Sequence, residues 1–215
     1  MIKFILTILL CLLPLNAFAG FPTTGILDNF NRANEGPPLS SSWTTDPEGY
    51  GATGHKVLSN QAVGSGTIDN DSRYNVSTFG PDMEGYFTCV TKPGDGDELS
   101  IIIRATGTTG GTFKGYQLSL LPVAGTDTLV VYSIVNGTYS VLATYTEEIV
   151  NGYKYGISAV GTTITTWRDN GTGWVSVGSV VNSAVTGAGY VQMYSLNNVA
   201  TFDDVGGGLY RRLIF

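Results

Sequence analysis

From about residue 57 to the C-terminus, apolar and polar positions alternate with a period of two, and Gly- and Asn-containing turns break the alternation at short intervals. That pattern predicts strands over Arg73–Phe79, Met83–Thr91, Glu98–Thr106, Phe113–Val123, Thr128–Val135 and Thr138–Thr146. Further strands are expected over Tyr153–Val160, Thr162–Arg168, Gly173–Val181, Gly189–Ser195 and Val199–Val205. The dipeptide Asn136-Gly137 between two of them is a strong hairpin signal, because both central positions of a type I′ turn need positive φ. No stretch carries a sustained helical period. The expected fold is all-β, a two-sheet antiparallel sandwich with jelly-roll or Greek-key connections, forming one domain over residues 20–206. The strands differ from one another, which disfavours a propeller or a solenoid. Three glycines, Gly206 to Gly208, open the last stretch, so 207–215 reads as a C-terminal tail, either free or folded back as an edge strand.

The first 19 residues do not belong to that pattern. Lys3 precedes an apolar run from Phe4 to Leu13, and Ala17-Phe18-Ala19 forms a small-residue cleavage site ahead of Gly20. The run falls short of the roughly 20 apolar residues that a spanning helix needs. Residues 1–19 therefore read as a signal peptide, and the chain as secreted to the exterior, the cell envelope or a bacterial periplasm, with no stable membrane insertion after cleavage. Cys89 is then the only cysteine left, so no internal disulfide can form and a hydrophobic core must carry the fold. Cys89 alternates with Phe87 and reads as a small buried hydrophobe.

Composition narrows the chemistry. Charged residues make up only 13% of the chain and the net charge is −6, which speaks against a nucleic-acid partner. His55 is the sole histidine and sits beside Gly54 and Lys56, where a surface loop position is expected. One histidine and no Gly-x-Ser-x-Gly elbow leave little for a nucleophilic triad, and several His or Cys ligands for zinc are missing.

The two ends of the domain carry a resemblance. Leu27-Asp-Asn-Phe-Asn-Arg-Ala-Asn34 leads to Trp43-Thr44, and the last strand reads Val199-Ala-Thr-Phe-Asp-Asp-Val205. Together with Ile101-Ile-Ile-Arg104, Gly115-Tyr116 and Gly189-Tyr-Val191, this resembles the concanavalin A-like lectin/glucanase superfamily, including LamG-like domains and family-16 glucanases. The glucanase branch of that superfamily carries Glu-x-Asp-x-x-Glu on one strand, supplying the two carboxylates of a retaining mechanism. Here the nearest stretch is Glu98-Leu-Ser-Ile-Ile-Ile, in which Ser100 and Ile103 replace the later acids. The chain therefore reads as a non-catalytic binding module for a glycan or polysaccharide. The alternative is a structural or adhesive surface or phage-type protein.

The expected glycan site is one sheet face carrying Arg104, Tyr116, Tyr132 and Trp167, one from each of four strands, where aromatic planes meet sugar C–H faces. The resemblance also implies a structural Ca²⁺ at the sandwich rim. Asp28 on the first strand and Asp203 on the last would be its ligands, with carbonyls from the turn near Gly51 to Gly54, while Asp204 alternates away.

Overall fold

The computed structural model describes residues 20–211; the expected signal peptide, 1–19, lies outside them, as do residues 212–215. Fifteen strands form two antiparallel sheets. Numbered along the chain, they begin with β1 (Ile26–Asp28), β2 (Trp43–Thr45), β3 (His55–Leu58), β4 (Gln61–Gly64) and β5 (Asp69–Tyr74). The middle of the chain supplies β6 (Met83–Thr91), β7 (Glu98–Thr106), β8 (Lys114–Leu121), β9 (Thr128–Val135) and β10 (Thr138–Thr146). The last five are β11 (Lys154–Val160), β12 (Thr163–Asp169), β13 (Trp174–Val181), β14 (Tyr190–Leu196) and β15 (Thr201–Leu209). One sheet runs β13-β12-β11-β6-β15-β4-β3, with β1 paired to β15; the other runs β10-β9-β8-β7-β14-β5-β2. Between β9 and β10, Asn136 and Gly137 take φ of 52° and 75°, the type I′ geometry that the dipeptide demands.

Alternation sends one face of each sheet into a shared apolar layer. Phe87, Tyr155 and Phe202 from one sheet meet Ile101, Ile103, Leu118 and Met193 from the other, all fully buried. The Phe87 and Phe202 rings meet edge to face at 5.0 Å. Side chains of this size each stabilise the fold by roughly 1.5–3 kcal/mol on burial, which lets the sandwich stand without a disulfide. Cys89 is buried among them, and burial pushes its thiol up to about 12, so the sulfur packs as a hydrophobe. Phe30 and Trp43 close one end of the layer.

Of the two expected courses for the C-terminal residues, 207–209 fold back as strand. β15 continues through Gly206 to Leu209, paired with β6 along one side and with β1 at Gly206 on the other. Gly206 sits against the Tyr86 ring, where an added Cβ would come within 2.1 Å of the ring, so the glycine permits close approach. The chain entering β1 is also fixed: the buried Glu84 carboxylate accepts the backbone N–H groups of Thr23 and Thr24, both at 2.6 Å.

His55 differs from its expected surface position. It is fully buried, because β3 starts at His55 and its inward face carries His55 and Val57. The Nδ1 and Nε2 atoms lie 3.0 Å and 3.2 Å from the hydroxyls of Ser72 and Ser195, and the Phe202 ring meets the imidazole edge to face. With no acidic partner, burial lowers its pKa to about 3, so the imidazole is neutral in the fold and protonates only on unfolding below about 6.5. Its contribution is fully present above pH 6.5 and is lost as pH falls toward 3, at up to about 1.4 kcal/mol per pH unit. Urea unfolding of the protein and of His55→Gln at several pH values in this window should show that slope vanish from the variant. Identical pH dependence in both would mean that the native imidazole protonates freely.

Candidate binding site

The outward face of the seven-stranded sheet is built by the same alternation that fills the core. β5 contributes Asp69, Asp71 and Arg73; β14 contributes Gln192 and Tyr194; β7 contributes Glu98 and Ser100. Gln117 and Ser119 on β8 lie beside them, followed by Tyr132 on β9 and Tyr139 near the turn into β10. Of these, Asp69, Asp71, Glu98, Gln117, Tyr132, Tyr139 and Tyr194, together with Tyr50 and Ala52 from the loop after β2, line a groove of about 450 Å³. Its walls include four tyrosines. Tyr132 and Tyr139 meet edge to face at 6.1 Å.

The floor is a hydrogen-bonded polar network. Asp71 Oδ1 accepts Gln192 Nε2 at 2.7 Å, Gln192 Oε1 accepts Arg73 Nε at 2.9 Å, and Arg73 pairs with Glu48 Oε1 at 2.5 Å. Glu48 in turn hydrogen-bonds Asp71, closing a ring of four buried side chains. Burial, followed by the adjacent Glu48 charge, holds the Asp71 carboxyl well above the usual carboxylate range. Glu48 Oε2 is buried and receives no hydrogen bond among the described residues. Beside the ring, Glu98 Oε1 accepts Ser100, Ser119 and Gln117 at 2.5, 2.6 and 2.6 Å.

Solved structures share this architecture. A carbohydrate-binding module of Bacillus subtilis, CBM66, matches with a TM-score of 0.58 at 17% identity, over 78% of this chain and 95% of that one. The exoplasmic/lumenal domain of VIP36, solved bound to Ca²⁺ and Man2, matches at 0.60 and 12%, over 89% of each. A β-1,3-1,4-glucanase (lichenase) derived from a mouse hindgut metagenome matches at 0.58 and 11%, over 84% and 97%. The fold is the concanavalin A-like sandwich. No family model matches the sequence, and no curated protein sequence does.

Within this concanavalin A-like frame, the four expected glycan residues do not share a face. Tyr132 lines the groove, but Arg104 and Tyr116 are fully buried. Strict alternation would leave Arg104 outside with Ile102. A bulge between Ile103 and Thr106, with Arg104 at φ 52°, turns the side chain inward. Its guanidinium donates to the carbonyls of Pro81, Val185 and Gly161 at 2.6, 2.5 and 2.8 Å and lies 5.7 Å from the Tyr116 ring centre. Tyr116 pairs with Ile103 and so shares its inward face, and its hydroxyl binds Asn182. Trp167 belongs to the other sheet. It stacks on Phe21 at 4.8 Å and lines a separate groove of about 680 Å³ with Trp174 and Tyr210.

The expected calcium ligands do not fit an ion. Asp28 spends both oxygens on N–H donors: Arg32 at 2.6 and 3.1 Å, Trp43 Nε1 at 2.9 Å and the Phe30 backbone at 2.9 Å. Burial raises the Asp203 carboxyl, and the charges of Asp204 and Asp28 add to that rise. Among the described residues, no three of His, Cys, Asp and Glu converge as a metal group would require. The Asp28–Arg32 pair and the Trp43 contact tie β1 to β2 by themselves.

Sequence reasoning missed the Asp71 ring, whose members come from the β2–β3 loop, β5 and β14. The alternating Asp69-Asn-Asp-Ser-Arg73 was the available signal. Because burial and Glu48 raise the Asp71 carboxyl, its protonated form contributes stability that is fully present below the ordinary aspartate range and is lost as pH rises through the raised value. Asp71→Asn should therefore melt at or above the parent at pH 7, and this advantage should shrink toward pH 4. A drop at pH 7 of more than about 1 kcal/mol would contradict a raised Asp71 carboxyl.

Proposed function

We propose that this chain is an exported carbohydrate-binding module that holds a glycan along the tyrosine-walled groove of the seven-stranded sheet. The observation that carries this reading is the pairing of four tyrosines with a hydrogen-bonded floor of carboxyl, amide and hydroxyl groups. Sugars present apolar C–H faces next to hydroxyls, and aromatic planes beside fixed polar groups match both. The similar structures, a carbohydrate-binding module and a lumenal domain bound to Ca²⁺ and Man2, support the same class.

The module reads as non-catalytic. Asp71 and Glu48 are hydrogen-bonded to each other, whereas retaining hydrolysis needs two carboxyl groups facing the sugar about 5–5.5 Å apart. Calcium has no part in this reading, since Asp28 is held by Arg32 and Trp43. Thermal melts with added calcium and with a chelator should give the same midpoint; a rise with calcium that Asp203→Ala abolishes would restore an ion at the rim.

Binding itself is checked by a glycan array followed by affinity electrophoresis through the polysaccharides it identifies. Tyr132→Ala and Tyr139→Ala should each weaken retention by about tenfold, and Trp167→Ala, on the opposite sheet, should change it less than about twofold. Loss in Trp167→Ala alone would move the site to the other groove. Absence of any glycan ligand would favour the adhesive-scaffold alternative.

A further inference from the structure

The charges of the groove do not cancel. In the ring, the Arg73 guanidinium pairs with Glu48 Oε1 while Asp71 accepts Gln192, so one guanidinium meets two carboxyl groups and the ring adds no net positive charge. Asp69 and Glu98 remain, and no Lys, Arg or His lines the groove. Their hydrogen-bond partners are neutral: the Tyr194 hydroxyl on Asp69 Oδ1 at 2.6 Å, and Ser100, Ser119 and Gln117 on Glu98 Oε1. Among the described residues, Asp69 Oδ2 and Glu98 Oε2 accept no hydrogen bond. Asp71 also lines the groove although it is only 7% exposed.

The tyrosines add to the same field. Each ring presents a negative face that attracts a cation within about 6 Å of its centre. The Tyr194 phenol is pushed up by burial, by its bond to Asp69 and by the Glu98 charge; Tyr139 is pushed up by burial and then by Asp71, with Glu48 and Glu98 contributing. The groove on the opposite sheet gives the contrast, since aromatic and hydroxyl side chains line it with no carboxylate. Both grooves carry four aromatic side chains, and of the two only the tyrosine-walled one also carries carboxylates.

We propose that the glycan bound in this groove is an amino-sugar polymer, its ammonium groups seated between Asp69, Glu98 and the tyrosine faces. The inference rests on the glycan-binding reading and adds the charge of the ligand to it. An N-acetylated or neutral sugar would leave the two carboxylates without a counter-charge once water is displaced, whereas an ammonium answers both carboxylates and π faces.

The experiment compares glucosamine oligomers with N-acetylglucosamine oligomers of the same linkage and length, by calorimetry at a mildly acidic pH where the amine is protonated. The amino form should bind about tenfold more tightly, and added salt should weaken it more than the acetylated form. The double variant Asp69→Asn/Glu98→Gln, which keeps Glu98 Oε1 as an acceptor, should lose that preference while melting like the parent. If it melts lower, Asp69→Asn alone should still reduce the preference. Equal binding of the two oligomers, or a preference that survives in a folded variant, overturns the amino-sugar inference and leaves the glycan reading intact. Choline, which carries charge without a sugar, should bind far more weakly, and parity with the oligomer would overturn the inference as well. Failure of every charged and neutral glycan to bind would remove the glycan reading together with this one.

Discussion

The last strand of the chain is the one on which the rest depends. β15 lies in the interior of the eight-stranded sheet, between β6 and β4, and pairs also with β1 near the beginning of the domain. Neither half of that sheet is continuous until these final residues are in place. Phe202 from the same strand fills the centre of the apolar layer and also contacts His55. Such non-local pairing makes folding slow, because a long loop must close before any of these contacts forms. Gly206 serves this arrangement by letting β15 lie against Tyr86.

Much of the scaffold was legible in the sequence, and the exceptions share one cause. Period-two alternation gives β6, β7, β9 and β10 with their observed boundaries, because each is long and has one apolar face. Reading a candidate site asks more of the pattern, since it must say which way each side chain points. One bulge at Arg104 reverses that direction, and no local residue type announces it. The outward placement of Tyr132 followed from the pattern because the β8–β9 ladder runs without interruption. Arg104, Tyr116 and Trp167 were misplaced because face and sheet membership depend on pairings between distant segments. His55 was misjudged on its neighbours, although its burial is decided by Ser72 and Ser195.

Polar burial is handled differently in the two halves of the molecule. Arg104 is buried with backbone carbonyls alone for hydrogen-bond partners, and burial lowers its pKa. Beneath the groove, by contrast, charge meets charge through side chains, and Arg73 is matched by Glu48. Arg104 secures loops at the edge of the sandwich, whereas the ring fixes the floor on which Tyr132, Tyr139 and Tyr194 stand. A floor with matched donors and acceptors holds its shape without a ligand, which reduces the ordering cost of binding.

The closed ring also constrains how this surface can change over generations. Each of Asp71, Gln192, Arg73 and Glu48 has two neighbours within the ring, so replacing one by a side chain that cannot make both hydrogen bonds, as Asn at position 71 can, strands a buried group on either side. Replacing two adjacent members together strands no more groups than replacing one, so the combined cost falls below the sum of the separate costs. The floor is therefore a single heritable unit. Sequence drift reaches the tyrosine walls one position at a time, but, isosteric exchanges such as Asp71→Asn apart, crosses the floor only through coordinated substitutions.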